Sequence, residues 1–226
     1  MSAPQGSGAL EEVPPEAAQV FGTRLGLARD YATLLATVGV ERGLIGPREA
    51  PRLWSRHLLN SAAIATWLPT GAEVIDLGSG AGLPGIPLAL ARPDLRITLV
   101  EPMARRVAFL EEAVSALTLD VLVRRARGEE LAARSTDAVV ARAVAPLSRL
   151  IPLALPLLRK NGRLIALKGS TAQEELDAAK QALAPWSPAQ AAIVRASIGN
   201  ACTTAVMISL GKMLADSTPS DGGGSA

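Results

Sequence analysis

The chain has 226 residues, 49% of them hydrophobic, which suits one substantial α/β domain with an added helical segment. Only three Trp, one Tyr and two Phe are present, so the core must be built from Leu, Val, Ile and Ala. The net charge of +2 does not by itself mark a polyanion binder, and a single cysteine and a single histidine exclude an intramolecular disulfide and Cys- or His-rich metal clusters.

In chain order, residues 1–13 are small, polar and rich in Pro and Gly, and read as disordered, with no secretory signal. Residues 14–70 read as a helical segment packed on the core. Val20, Leu27, Tyr31, Leu34 and Leu35 predict an amphipathic helix over 16–37. A loop follows, and a second helix opens at Pro51 and runs to Pro69. No apolar run reaches membrane-spanning length; the longest, near 150–158, is broken by Pro152 and Pro156. The expectation is a soluble, cytoplasmic monomer without a metal.

From Glu73 short apolar strands alternate with helical segments: strands EVIDL, LRITLV, VLVRR, DAVVA and RLIALK, helices near 85–91, 103–117, 146–158 and 171–184. This predicts a doubly wound, mostly parallel sheet over 71–212. The last two strands, AAIVRASI and CTTAVMISL, are separated only by Gly199-Asn200 and predict an antiparallel hairpin. Residues 213–226 read as a disordered tail.

The glycine loop after the first strand, Gly80-Ala81-Gly82-Leu83-Pro84-Gly85, formally matches a dinucleotide fingerprint. Glu101, ending the second strand, is placed to accept from ribose hydroxyls in NAD or S-adenosylmethionine alike. Two features separate them. A pyrophosphate needs amides at the helix N-terminus, where Pro84 and Pro87 have none. Asp76, preceding Gly78, Gly80 and Gly82, suits a cationic ligand and not a pyrophosphate. S-adenosylmethionine is therefore the predicted cofactor; an NAD-linked oxidoreductase and a non-catalytic RNA-binding protein on the same fold remain alternatives.

For the acceptor, Cys202 lies mid-strand in an alternating pattern and reads as packing, against the cysteine nucleophile needed to methylate a pyrimidine carbon. The segment after the fourth strand, Ala141-Arg142-Ala143-Val144-Ala145-Pro146, lacks the Asn/Asp-Pro-Pro-aromatic turn of adenine N6 chemistry. Guanine N7 needs neither base nor nucleophile, only alignment.

Six motifs in this order, Arg56-His57-Leu58-Leu59-Asn60-Ser61, Asp76 to Gly85, Arg105-Arg106-Val107-x-Phe109-Leu110, Arg127 to Glu130, Ala141-Arg142-Ala143 and Leu167-Lys168-Gly169, resemble the RsmG (GidB) family of 16S ribosomal RNA guanine-N7 methyltransferases. The resemblance covers residues 16–212. It implies a class I, Rossmann-like methyltransferase fold with a seven-stranded sheet and N-terminal helices, acting on a guanine in the 530 loop of 16S rRNA or the small ribosomal subunit. It also implies cofactor contacts from Gly78, Leu83, Gly128, Glu129 and Arg142. Two positions depart from the family pattern. Arg42 to Arg48 stands where many members carry Tyr-Asn-Leu-Thr, and Asn60 where an aspartate is common.

RNA contacts are expected from Arg56, His57, Arg124 and Arg125, within arginine clusters at 48/52/56, 105/106, 124/125/127 and 159/160/163 (Lys160 in the last). Lys168, at the end of the fifth strand, is aimed at substrate and with Arg142 is a catalytic candidate. His57 is read as orienting the N-terminal helix. With so few aromatics, recognition leans on RNA shape and backbone.

Overall fold

The computed structural model describes residues 10–211. The expectations for 1–9 and 212–226 lie outside them. Seven strands form one sheet: β1 (Glu73–Leu77), β2 (Arg96–Val100), β3 (Val121–Arg124), β4 (Thr136–Arg142), β5 (Leu158–Leu167), β6 (Gln190–Ile198) and β7 (Ala201–Ser209). Their order is β3-β2-β1-β4-β5-β7-β6. The first five pair in parallel, and β7 enters antiparallel between β5 and β6. The order reverses direction at β1, whose neighbours are β2 and β4, so a ligand crevice belongs outside the carboxyl ends of those strands.

Strand β5 begins five residues earlier than the sequence suggests. Asn161-Gly162 is a pair with turn-forming chemistry, and Asn161 takes a φ of 67°. Here it makes a bulge inside the strand: Thr136 pairs with Leu158, and the next partners are Ala138 and Arg163. The predicted hairpin is present, with Gly199 at φ 53°.

Helices cover both faces. On one lie α1 (Glu16–Phe21), α2 (Leu25–Leu34), α3 (Asn60–Ala62), α4 (Gly85–Ala91) and α5 (Ala104–Ala116); on the other α6 (Leu147–Ala154), α7 (Ala172–Ala178) and α8 (Lys180–Leu183). The first core holds Phe21, Tyr31, Trp54 and Phe109 among aliphatic side chains, and the second is almost wholly Leu, Ile, Val and Ala. The predicted 16–37 helix is interrupted at Gly22, whose φ of 49° and ψ of −125° end α1 before a 3-10 turn and α2 resume. The second N-terminal helical run starts at Pro47, not Pro51, because Gly46 is extended and Pro47 takes the first helical position. It passes through a π-helical stretch, Leu53–Leu59, into α3.

These segments are bonded to the sheet domain. Arg24 donates to Ala89 O (3.0 Å), Tyr31 to Ala81 O (2.7 Å), and Asn60 to Cys202 O (2.9 Å). Residues 10–13, expected to be disordered, form no helix or strand but are anchored. Glu11 N donates to Ala50 O, and Glu11 Oε2 accepts from Ser55 N, both at 3.0 Å. Among the described residues no helix is long and apolar enough to cross a membrane.

Candidate functional site

The loop between β1 and α4 is built on left-handed glycines: Gly78, Gly80 and Gly82 have φ of 72°, 59° and 93°. Close approach adds a second requirement. A Cβ on Gly82 would lie 2.4 Å from Ile86 Cδ1, and one on Gly85 2.3 Å from Leu99 Cδ2 and 2.6 Å from Asp76 Oδ2.

The loop's amides are engaged internally. Gly78 and Ser79 donate to Val100 O, Gly82 and Leu83 to Ser79 O, and Gly80 to Glu101 Oε2 at 3.1 Å. At the start of α4, Gly85 N donates to Asp76 Oδ2 (2.9 Å), Ile86 N to Gly82 O (2.8 Å) and Leu88 N to Pro84 O (3.1 Å). Pro84 and Pro87 have no amide to offer. The first turn of α4 thus lacks the open amide cradle that a pyrophosphate requires.

Asp76 is fully buried and acts beneath the loop as the acceptor for Gly85. Its other oxygen, Oδ1, is buried without a hydrogen-bond partner. Burial pushes its carboxyl up to about 7, opposed by the Gly85 bond. Glu101 is also buried. Its Oε1 accepts from Met103 N (3.0 Å), and Arg106 Nη1 lies 3.5 Å from Oε2. Carboxylate oxygens carry two lone pairs each, so Glu101 retains acceptor capacity while fixing Gly80.

Two clefts open at this edge. One, of about 190 Å³, is lined by Leu77, Gly78, Val100, Gly128, Glu129 and Val144, among others. Gly128 is buried and Glu129 exposed. The second, of about 890 Å³, is lined by Arg56, Asn60, Arg142, Val144, Lys168 and Cys202, among others. Val144 belongs to both, and it sits so close over the loop that a Cβ on Gly78 would meet its Cγ2 at 2.7 Å. The side chain of Leu83, a residue expected at the cofactor, packs into the core.

Arg142, at the end of β4, donates from Nη2 to His57 Nδ1 (2.7 Å) and from Nη1 to Ser61 Oγ (3.3 Å). His57 Nε2 lies 2.7 Å from Glu49 Oε2. Because a guanidinium only donates, Nδ1 must be the acceptor and the ring proton sits on Nε2, facing Glu49. Burial and the neighbouring Arg142 charge lower the His57 pKa to about 4, against the pull of Glu49. Glu49 also pairs with Arg52 (2.7 Å) and Arg56 (3.6 Å). His57, expected among the RNA contacts, therefore has both ring nitrogens engaged inside the protein. Arg56 stays exposed at the cleft.

Lys168 lines the second cleft, but its ammonium is turned inward: it donates to Ala145 O (2.7 Å) and pairs with Glu175 Oε2 (2.7 Å). Arg124 and Arg125 are exposed at the edge strand β3 and line neither cleft. Arg159 pairs with Glu73 and Asp137, and Arg163 donates to Trp67 O (2.9 Å), at the amino ends of the strands, away from the clefts. Among the described residues no group of three or more His, Cys, Asp or Glu could hold a metal ion.

Sequence reasoning missed Tyr31, Glu49, Val144 and Glu175. Tyr31 carried a signal, since the chain's single phenol stands in an otherwise apolar stripe. Its buried hydroxyl donates to Ala81 O and reaches the glycine loop from α2.

Solved structures share this architecture. A SAM-dependent methyltransferase from Aquifex aeolicus matches with a TM-score of 0.53 at 13% identity, covering 76% of this chain and 97% of that one. TYW2 of M. jannaschii, in complex with AdoMet, gives 0.52 at 14% identity over 66% of this chain and 72% of that one. At such identities the likeness carries the fold alone. Closer in sequence is the Ribosomal RNA small subunit methyltransferase G of Thermobifida fusca, 55% identical over 203 residues, 88% of this chain and 86% of the relative. The protein of the same name from Streptomyces coelicolor is 52% identical over 208 residues, 90% and 87% of the two chains. The family model described as rRNA small subunit methyltransferase G (GidB) matches residues 24–200, a span holding the glycine loop, the smaller cleft and the Arg142–His57–Glu49 chain. The chain belongs to the rRNA small subunit methyltransferase G family.

Proposed function

We propose that the smaller cleft binds S-adenosylmethionine, that the larger receives a guanine of small-subunit rRNA, and that the reaction is methylation of guanine N7, in the 530 loop of 16S rRNA. One observation carries this reading. Val144 is a wall common to an amide-closed glycine-loop cleft and to a cleft lined by Arg56, Arg142 and Lys168.

The residues present fit that cofactor. The engaged amides of the loop and α4 suit a ligand without phosphates, and the unpartnered, buried Asp76 Oδ1 adds negative potential beneath it. Gly78, Gly128 and Glu129 line the cleft, the left-handed Gly80 and Gly82 shape the loop beside it, and Glu101 supplies ribose acceptors. When bound, S-adenosylmethionine supplies an electrophilic methyl on a sulfonium centre.

The protein's own contribution is alignment. Guanine N7 offers a lone pair and no proton, so no general base is required, and the neutral His57 is not asked to act as one. Arg142 is held in place by two donor contacts and presents its remaining N–H groups near the larger cleft, where base or phosphate acceptors can be met. Arg56 adds exposed positive charge for the RNA backbone.

Transfer of labelled methyl to 16S rRNA or small subunits, with the product base mapped, tests the reading. The expected product is 7-methylguanine at one position. No incorporation, or label on another atom, overturns it. Calorimetry should show S-adenosylhomocysteine binding and none for NADH.

A further inference from the structure

The segment Ala143 to Leu147 carries Val144 between the two clefts and is neither helix nor strand up to Pro146. Its conformation is held from outside. Ala143 has a φ of 54°, a left-handed position that a residue with a Cβ adopts only under constraint. Upstream, Arg142 is fixed by His57 and Ser61. Downstream, Glu175 Oε2 accepts from Leu147 N at 2.9 Å. Between them the Lys168 ammonium donates to Ala145 O, and Thr171 donates to Glu175 Oε1 at 3.3 Å. The Lys168 side chain is only 7% exposed, and its pairing with Glu175 holds that carboxyl below the usual range.

From this geometry we infer that Lys168 and Glu175 are positioning residues for methyl-donor binding: they clamp the Ala143–Leu147 segment so that Val144 closes over Gly78. Lys168 touches the donor cleft only through Ala145 and Val144. A sequence reading of the same lysine, at a strand end facing the ligand edge, assigns it to the RNA. The two roles separate cleanly. A residue acting on Val144 changes cofactor affinity with no RNA present. A phosphate-binding lysine changes RNA affinity and its salt dependence and leaves the cofactor alone.

The inference rests on the reading of the smaller cleft as the cofactor site. The experiment is calorimetric titration of S-adenosylhomocysteine into the full chain without RNA, for the parent, Lys168→Ala, Glu175→Gln and Val144→Ala. The parent must bind; if it does not, the cofactor reading fails by itself. With the parent binding, Lys168→Ala is expected to weaken affinity about tenfold or more, and Val144→Ala to weaken it in the same direction, while the salt slope of RNA binding by Lys168→Ala stays at the parent's value. Glu175→Gln keeps an oxygen for Leu147 N but loses the charge that holds Lys168, so it should fall between parent and Lys168→Ala. If Lys168→Ala does not fold, as near-ultraviolet circular dichroism will show, Glu175→Gln carries the test. Parent-like cofactor affinity in the folded Lys168 or Glu175 variant overturns the inference, and a salt slope reduced by about one in Lys168→Ala would return that lysine to the RNA.

Discussion

Nη2 of Arg142 and Nδ1 of His57 lie 2.7 Å apart, a contact that only an unprotonated Nδ1 can accept. The same guanidinium is within electrostatic reach of the buried Asp76, whose pKa it lowers against a larger effect of burial. Burial drives both residues toward neutrality, which for an acid and a base means opposite responses to pH.

The consequence is a masked pH dependence. His57 titrates near 6.5 when unfolded and about 4 when folded, so its contribution is full above 6.5 and is lost as pH falls toward 4. Asp76 titrates near 3.8 unfolded and about 7 folded, so its ionisation opposes the fold above 7 and that cost recedes as pH falls. Between pH 6.5 and 5 the two slopes, each up to about 1.4 kcal/mol per pH unit, oppose one another. Urea unfolding at pH 6.5 and pH 5 should therefore find His57→Gln gaining stability on acidification and Asp76→Asn losing it, with the parent nearly flat. Parallel responses in the two variants would refute the assignment.

The glycines of the loop are predicted to be unequal. Gly85→Ala drives a methyl into Leu99 and the Asp76 carboxylate, and should cost about 2–4 kcal/mol in unfolding free energy. Gly80→Ala meets only Gly78 O at 3.9 Å, so its cost is the left-handed strain alone, about 1 kcal/mol. Denaturant midpoints of the two variants check the ranking.

Glu101 fixes the loop through Gly80 N and Met103 N, and the proposed cofactor site gives it the ribose hydroxyls. Glu101→Gln replaces one acceptor oxygen by a donor. S-adenosylhomocysteine affinity is expected to fall about tenfold, near 1.4 kcal/mol. An unchanged dissociation constant would remove Glu101 from the site.

Among the arginines, Arg56→Ala should weaken RNA binding and lower the salt slope by about one, whereas Arg124→Ala and Arg125→Ala should change both less. Filter binding over a salt series distinguishes them. Equal effects would extend the RNA footprint to the β3 edge.

The alternation of strands and helices, the final hairpin and the glycine loop were legible in the sequence because they rest on local signals: short apolar runs, a two-residue Gly-Asn turn and spaced glycines. The contact partners of Lys168 and His57 were not. They lie on other elements, Ala145 and Glu175 for one, Arg142 for the other, and no spacing rule announces such meetings. The same holds for β5, where Asn161-Gly162 carries the local chemistry of a turn and tertiary pairing with Thr136 makes it a bulge. Asp76 lay between these cases. Its place before the glycines was readable, but its bond to Gly85 depends on how tightly α4 seats against β1.

Strand β7 lies between β5 and β6 yet is the last to be synthesised, and it carries Thr203, which donates to Asn60 O at 2.5 Å beside the larger cleft. Until it leaves the exit tunnel, β5 keeps an open edge, β6 has no partner, and the cleft lacks one wall. The bonds that shape the glycine loop thus come from chain made long before the larger cleft is complete, and truncation anywhere before residue 204 removes lining from that cleft.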